Sequence, residues 1–197
     1  MQDGDRIKEQ VVDRQGQGPR GSQEVNVQDG NAQIVAAVQF APVLLDVGRN
    51  ISTAQQLSFE AGAKGARIIV LPELCTGGNV FRQPYEAASC AQESDGYQTQ
   101  AMTEVSRRFN CHIVFGYVEL KEGKLYNSAA VVGPNGLVAN CQKHNLWGSD
   151  NMWAQPSEER CPVVVTPEGR IGVLICRDAM NRYRESYAFH RSGQRFY

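Results

Sequence analysis

The chain has 197 residues, 42% of them hydrophobic and 21% charged, and its formal net charge at pH 7 is −1. This length suits one domain with a sizeable core but not two ordinary domains, and the composition is typical of a soluble globular protein. The near-neutral charge gives no electrostatic reason to expect nucleic acid or an anionic membrane as a partner. No apolar run is long enough to cross a bilayer, and the N-terminus lacks the apolar core of a secretory signal.

Six cysteines are spaced widely along the chain, without a CxxC pair or a cluster with histidines. This spacing favours reduced thiols in a cytoplasmic protein over a secreted disulfide framework or a structural zinc site. The six are Cys75, Cys90, Cys111, Cys141, Cys161 and Cys176.

Residues 1–32 are rich in Gln, Asp, Gly and Arg and contain no aromatic residue. A segment with so little apolar surface cannot offset the entropy of ordering its backbone, so we predict a disordered or loosely packed N-terminal tail. The folded domain is predicted to span residues 33–197 and to be incomplete at its C-terminal end.

The first predicted elements alternate strand, helix and strand. The apolar run IVAAVQF (residues 34–40) is typical of a strand covered on both faces. Asn50 is placed to cap a helix that ends at Gly62 or Gly65. A second buried strand, ARIIVLPE (residues 66–73), stops at its proline.

A second helix is predicted from Ser94 or Asp95, followed by the strand HIVFGYVEL (residues 112–120). The turn signals EGK and PNG then separate YNSAAVVG from LVANCQK, which indicates an antiparallel hairpin. PVVVT and RIGVLIC form another predicted pair around the turn PEG. This order of elements predicts an α/β sheet with helices on one face.

Three chemically versatile residues follow predicted strands: Glu73, Lys143 and Cys176. Taken singly, each residue has a structural explanation. Glu73 can be a surface carboxylate or helix cap, Lys143 a solvated lysine, and Cys176 a small core residue. Together they form a plausible reactive group, because loops at strand ends gather functional residues. A carboxylate can take the thiol proton, and an ammonium can stabilise an oxyanion when sulfur attacks a carbonyl or nitrile carbon.

The sequences around these residues resemble the nitrilase superfamily, also called the carbon–nitrogen hydrolases. The resemblance extends from about residue 33 to residue 185. It is carried around Glu73 by LPELCTGG, around Lys143 by CQKHNLWGSDNMWAQP and around Cys176 by GVLICRDAM. The segments VQFAP, IVFGYVEL and YNSAAVVGPNG also look like family sequence.

The resemblance implies an α/β fold of the α-β-β-α sandwich type and a Glu–Lys–Cys triad. Glu73 would deprotonate Cys176, and the thiolate would attack an amide, a carbamoyl group or a nitrile. Lys143 and the backbone N–H of Arg177 would stabilise the developing negative charge. The resemblance further implies small-molecule substrates, no metal or organic cofactor, and assembly into homodimers or larger homo-oligomers.

The chain departs from the family pattern after the lysine and after the cysteine. Where many members carry a second glutamate, this chain has Asp150, which we predict to be a substrate-binding residue. Asp178 is expected to fix the turn after the nucleophile. Trp147 and Trp153 either line the pocket mouth or serve in packing or in an oligomer contact. These departures leave amidase, carbamoylase and nitrilase activities open.

The final segment, YAFHRSGQRFY, does not resemble family sequence, although members continue with further strands and helices. A missing layer would expose a large apolar patch. Three explanations stay open: a fragment, a short variant completed by another chain, or a non-catalytic member acting as an oligomerisation or binding subunit. A thiol-based redox function has little motif support.

Overall fold

The chain builds a five-stranded mixed sheet whose two faces are covered by different layers. This architecture comes from a computed structural model, which describes residues 34–180. The predicted N-terminal tail and the segment YAFHRSGQRFY lie outside the described residues. The elements are β1 (Val35–Ala37), α1 (Val47–Ala63), β2 (Ile68–Val70), α2 (Pro84–Cys90), α3 (Tyr97–Phe109), β3 (His112–Lys121), β4 (Lys124–Gly133), β5 (Gly136–Gln142), α4 (Asp150–Trp153), β6 (Val164–Thr166) and β7 (Gly169–Ile171).

The sheet runs in the order β1-β2-β3-β4-β5. The first three strands are parallel, and β3, β4 and β5 are antiparallel. Glu122 and Gly123 join β3 to β4 with φ values of 52° and 73°, as a two-residue type I′ hairpin requires. The predicted strands and the first two hairpins are therefore present in the order that the sequence indicates.

One face of the sheet packs against α1 and α3, and the other packs against the β6–β7 hairpin. Alternating strand residues divide between these two cores, as the two-residue repeat of a strand requires. Ile69, Phe115 and Ala130 belong to the helix-side core. Ile68, Val114 and Val131 belong to the core that also holds the hairpin. The described residues thus account for an α layer and two β layers, which confirms the predicted fold class.

The first helix begins earlier than predicted. Its N-cap is Asp46, whose side chain accepts a hydrogen bond from the Arg49 N–H at 3.1 Å. Asn50 is instead 2% exposed within the helix. Its amide nitrogen donates to the Val43 carbonyl at 2.7 Å and to the Thr76 carbonyl at 3.0 Å. The predicted cap is therefore wrong, because this side chain satisfies buried backbone groups elsewhere.

Two other boundaries differ from the sequence prediction. The second long helix begins at Tyr97, after Gly96, rather than at Ser94 or Asp95. The last predicted strand, RIGVLIC, is paired only through Ile171. The short helices α2 and α4 were not predicted, because four to seven residues give too little periodicity to recognise.

Cys141 and Cys161 form a disulfide, so the expectation that all six cysteines are reduced is wrong for this pair. The chain folds back after β5 and brings the two Cα atoms to 4.9 Å, a distance that a sequence separation of 20 does not reveal. Cys75, Cys90 and Cys111 are free and buried, whereas Cys176 is free and exposed.

Between residues 34 and 180, the structure contains no helix with the length and apolar character needed to cross a membrane.

Candidate active site

Glu73 lies three residues beyond β2, in a turn that passes directly over β3. The turn is close to Gly116, where an added Cβ would come within 2.4 Å of the Leu74 nitrogen and 2.7 Å of the Glu73 Cα. Leu74 has a φ of 51°, which is unusual for a residue with a branched side chain. The glycine in β3 is therefore required for the position of the Glu73 carboxylate.

Lys143 is the first residue after β5, and its side chain is directed into the protein. Its backbone N–H donates to the Asn127 carbonyl at 2.8 Å. The side chain is 2% exposed, and Nζ lies 2.7 Å from Glu73 Oε1 and 2.6 Å from Asp150 Oδ2. A buried ammonium between two carboxylates satisfies the requirement that buried charges be paired.

Asn127 joins the same group from β4, and the sequence analysis missed this. Its Nδ2 donates to Glu73 Oε1 at 2.8 Å and to Asp150 Oδ2 at 3.3 Å. Asparagine is depleted in strands, so Asn127 within the predicted strand YNSAAVVG could have indicated a hydrogen-bonding role. The structure shows that this side chain is fully buried in β4. Only the strand register identifies its partners.

Cys176 follows the β6–β7 hairpin and opens a short 3-10 turn that ends at Met180. Its φ is 47°, a left-handed conformation that costs a non-glycine residue of order 1–3 kcal/mol. Asp178 secures this turn, because its Oδ1 accepts from the Asn145 backbone N–H at 2.8 Å and its Oδ2 from the Ile175 N–H at 3.4 Å. The expected structural role of Asp178 is confirmed.

Cys176 lines the same cavity as Glu73, and the charges of Glu73 and Lys143 both influence its thiol. Partial burial and then the negative charge and hydrogen bond of Glu73 raise the pKa of the thiol. The Lys143 charge and the Arg177 backbone N–H oppose this increase. The net direction of the pKa is upward, which favours the protonated thiol at rest.

Burial by itself would lower the pKa of Lys143. The hydrogen bonds to Asp150 and Glu73 outweigh that effect, and the net pKa is raised. Lys143 therefore stays an ammonium at neutral pH. The site combines a thiol, a carboxylate that can accept its proton, and a permanent cation that can stabilise an oxyanion.

Two cavities are lined in part by Cys176. A cavity of about 200 Å³ lies between the sheet and the segment leading to Cys176, and Glu73 and Gly116 are among its lining residues. An open cleft of about 560 Å³ is lined by Cys176, Asn145, Trp147, Arg177 and Met180. Small molecules can therefore approach the thiol from solvent.

The two tryptophans have different environments. Trp147 is 62% exposed and lines the cleft beside Cys176. Trp153 is buried and packs edge-on against Phe81, with ring centroids 5.4 Å apart. His144 Nδ1 lies 2.9 Å from the Ser157 carbonyl oxygen.

Residues 34–180 hold no group of three or more His, Cys, Asp or Glu side chains arranged to bind a metal ion. The absence of a cofactor stays a prediction.

The fold is similar to solved amidase structures. An N-terminal amidase superposes with a TM-score of 0.62 at 23% identity, over 73% of this chain and 40% of that one. An amidase from Nesterenkonia sp. gives a TM-score of 0.62 at 20% identity, over 72% of this chain and 54% of that one. The described part of the protein therefore has the fold of these amidases.

Sequence comparison specifies the family. The family model described as "Carbon-nitrogen hydrolase" matches residues 34–192. A nitrilase from Pyrococcus abyssi is 35% identical over 145 residues, which cover 73% of this chain and 55% of the relative. An omega-amidase NIT2 from Danio rerio is 32% identical over 142 residues, covering 66% of this chain and 49% of the relative. The chain belongs to the carbon–nitrogen hydrolase family, and it spans about half the length of these curated relatives.

Proposed function

We propose that the protein hydrolyses small amides or nitriles through a covalent thioester on Cys176. The observation that carries this proposal is the position of Glu73, whose carboxylate accepts a hydrogen bond from the Lys143 ammonium and which lines the same cavity as Cys176. Family membership supports the reaction class, because the relatives that match this chain include a nitrilase and omega-amidases.

In the proposed reaction with an amide, Glu73 takes the Cys176 proton while the sulfur attacks the carbonyl carbon. The oxygen gains negative charge, which Lys143 and the Arg177 backbone N–H stabilise. The C–N bond then breaks, and the nitrogen leaves as ammonia or an amine with the proton held by Glu73. Water attacks the thioester, Glu73 accepts its proton, and the carboxylic acid and the thiol are released.

Asp150 is proposed as the counterpart of the family's second glutamate. Its carboxylate is buried and lies 2.6 Å from the Lys143 ammonium, which Glu73 also contacts at 2.7 Å. A single ammonium between two carboxylates has little freedom to rotate, which supports a role for Asp150 in orienting Lys143 toward the substrate. Asn127, which donates to both carboxylates, is proposed to hold them apart at the correct spacing.

Release of ammonia from small amides, carbamoyl amino acids and nitriles tests this function. We expect turnover by the full chain and its loss in Cys176→Ala, with retained folding checked by circular dichroism. Cys90→Ala is a matched control, since Cys90 is a free, buried cysteine in the separate core of α2. Turnover that survives Cys176→Ala would refute the mechanism, and absence of turnover on every substrate would favour a non-catalytic subunit.

Cytoplasmic location and homo-oligomerisation are further proposals that rest on family resemblance. Light scattering should give a mass at least twice the 21.8 kDa of one chain. The Cys141–Cys161 disulfide is unusual for a reducing compartment, so the oxidation state of this pair in cells bears directly on the location.

A further inference from the structure

The residue after the nucleophile presents a guanidinium to the open cleft beside the thiol. Arg177 lies with its Cζ 4.1 Å from the centroid of the Trp147 ring. Both residues line the 560 Å³ cleft that contains Cys176 and also a neighbouring cleft of about 700 Å³. The tryptophan face therefore fixes a cation at the boundary between two spaces open to a ligand.

No carboxylate among residues 34–180 pairs with this guanidinium. The nearest acidic residue in sequence, Asp178, directs its two oxygens to Asn145 and Ile175. Within residues 34–180, the Arg177 side chain is therefore not part of an ion pair.

The charge balance of the site indicates how the Arg177 cation could contribute to substrate binding. Glu73 and Asp150 surround a single ammonium, so the buried group at the reacting centre carries a formal charge of −1. Such a group disfavours an anionic substrate unless a second cation lies nearby. An arginine is well suited to this task, since its planar fork binds a carboxylate through two parallel hydrogen bonds.

We propose that Arg177, held on Trp147, is a specificity-determining residue that binds a carboxylate of the substrate. The substrate class is then a small amide that also carries a carboxylate, separated from the scissile C–N bond by a short chain. The separation between the carboxylate and the scissile bond must be short, because the guanidinium and the sulfur belong to neighbouring residues. The Cα atoms of such residues are only about 3.8 Å apart. This inference rests on the proposed function and assigns its substrate class.

Kinetics on matched substrates test the inference. The first pair, succinamate and the uncharged 4-oxopentanamide, differs in whether a carboxylate is present on the acyl side of the scissile bond. The second pair, N-carbamoylglycine and n-propylurea, differs in the same way on the amine side. We expect the full chain to prefer the anionic member of one pair in kcat/KM, and Arg177→Gln to reduce that preference about tenfold, mainly through KM. The preference should weaken as salt is added. Arg177→Lys should restore part of it.

Arg170→Gln is the control, because it removes the same charge from an exposed position in β7 outside both clefts. It should leave the preference unchanged. An anionic preference that is absent, or that Arg177→Gln does not reduce, would overturn the inference while leaving hydrolysis itself intact.

A second measurement does not depend on turnover. Iodoacetate and iodoacetamide alkylate the same sulfur but differ in charge, so their rate ratio at Cys176 reports the field of Arg177. We expect Arg177→Gln to lower the iodoacetate-to-iodoacetamide ratio several-fold and Arg170→Gln to leave it unchanged. An equal ratio in all three proteins would contradict the proposal, whether or not any substrate is hydrolysed.

Discussion

The Glu73 carboxylate accepts hydrogen bonds from the Lys143 ammonium and the Asn127 amide, and it lies in the cavity that Cys176 also lines. At this scale of single residues, we propose that this position gives Glu73 two effects on the sulfur. Partial burial and the negative charge of Glu73 raise the pKa of the thiol at rest, and in the proposed reaction the same carboxylate accepts the proton when substrate is present. On this proposal, the nucleophile forms when substrate binds and is not stored as a thiolate.

Changes to the two charged neighbours should shift alkylation of Cys176 in opposite directions. Glu73 raises the pKa of the thiol, so Glu73→Gln should lower that pKa and increase the thiolate fraction at pH 8. Lys143 lowers the pKa, so Lys143→Met should slow alkylation. Iodoacetamide rates at the Cys176 peptide, followed by mass spectrometry between pH 7 and 10, measure both effects.

Both variants should nevertheless lose hydrolysis, because each removes a proposed participant in the reaction. The free buried cysteines provide an internal reference, since burial raises the pKa of Cys75 to about 12 and that of Cys111 to about 11. Faster alkylation together with retained hydrolysis in Glu73→Gln would remove Glu73 from the role of base.

Gly116 provides a second prediction for a single residue. In Gly116→Ala the new methyl group would meet backbone atoms of Leu74 and Glu73, which cannot rotate away as a side chain can. We expect a loss of about 1–3 kcal/mol in the free energy of unfolding, measured by urea denaturation. Displacement of Glu73 by about 1 Å should also reduce turnover about a hundredfold.

Gly48→Ala is the matched control, because nothing lies within 4 Å of its added Cβ and its position is helical. It should be neutral or slightly stabilising. If Gly116→Ala behaved like Gly48→Ala, the close packing of the Glu73 turn on β3 would be incorrect.

At the scale of elements, the disulfide closes the segment that carries Lys143 and Asp150. Cys141 lies in β5 and Cys161 lies before β6, with a sequence separation of 20. Cross-linking a loop of this length restricts the unfolded chain and contributes about 3 kcal/mol in the chain-entropy model. The link also limits how far the lysine segment can move from β5.

Cys161→Ser should therefore lower the melting temperature of the protein. A reducing agent should lower the melting temperature of the unmodified chain to a similar extent and have no effect on the variant. Differential scanning calorimetry with and without dithiothreitol makes the comparison. Identical melting curves for the unmodified chain in both conditions would show that Cys141 and Cys161 are not paired in solution.

The elements also show why sequence patterns located some site residues and missed others. Glu73 and Lys143 follow strands β2 and β5, and apolar runs followed by polar residues reveal such positions directly. Asn127 escaped notice because its partners depend on the pairing of β4 with both β3 and β5. The pairing of Cys141 with Cys161 was missed for the same reason, since both depend on long-range geometry.

At the scale of the whole molecule, alternation of apolar residues predicted the two faces of the sheet. Ile68 and Ile69 are adjacent in sequence yet belong to different cores, as expected for a strand buried on both sides. The sequence could not specify that Cys176 would leave the hairpin in a left-handed conformation. That geometry arises from the Asp178 contacts and the packing of Ile175, which are tertiary effects.

The proposed reaction requires a covalent bond between substrate and Cys176, and this bond can be detected directly. The full chain should be mixed with a small amide substrate, quenched in acid within seconds and examined by intact mass and peptide mapping. We predict a mass increase equal to the acyl group on the peptide that contains Cys176, absent from Cys176→Ser. Hydrolysis of the amide without any adduct, or an acyl group on another residue, would contradict the account.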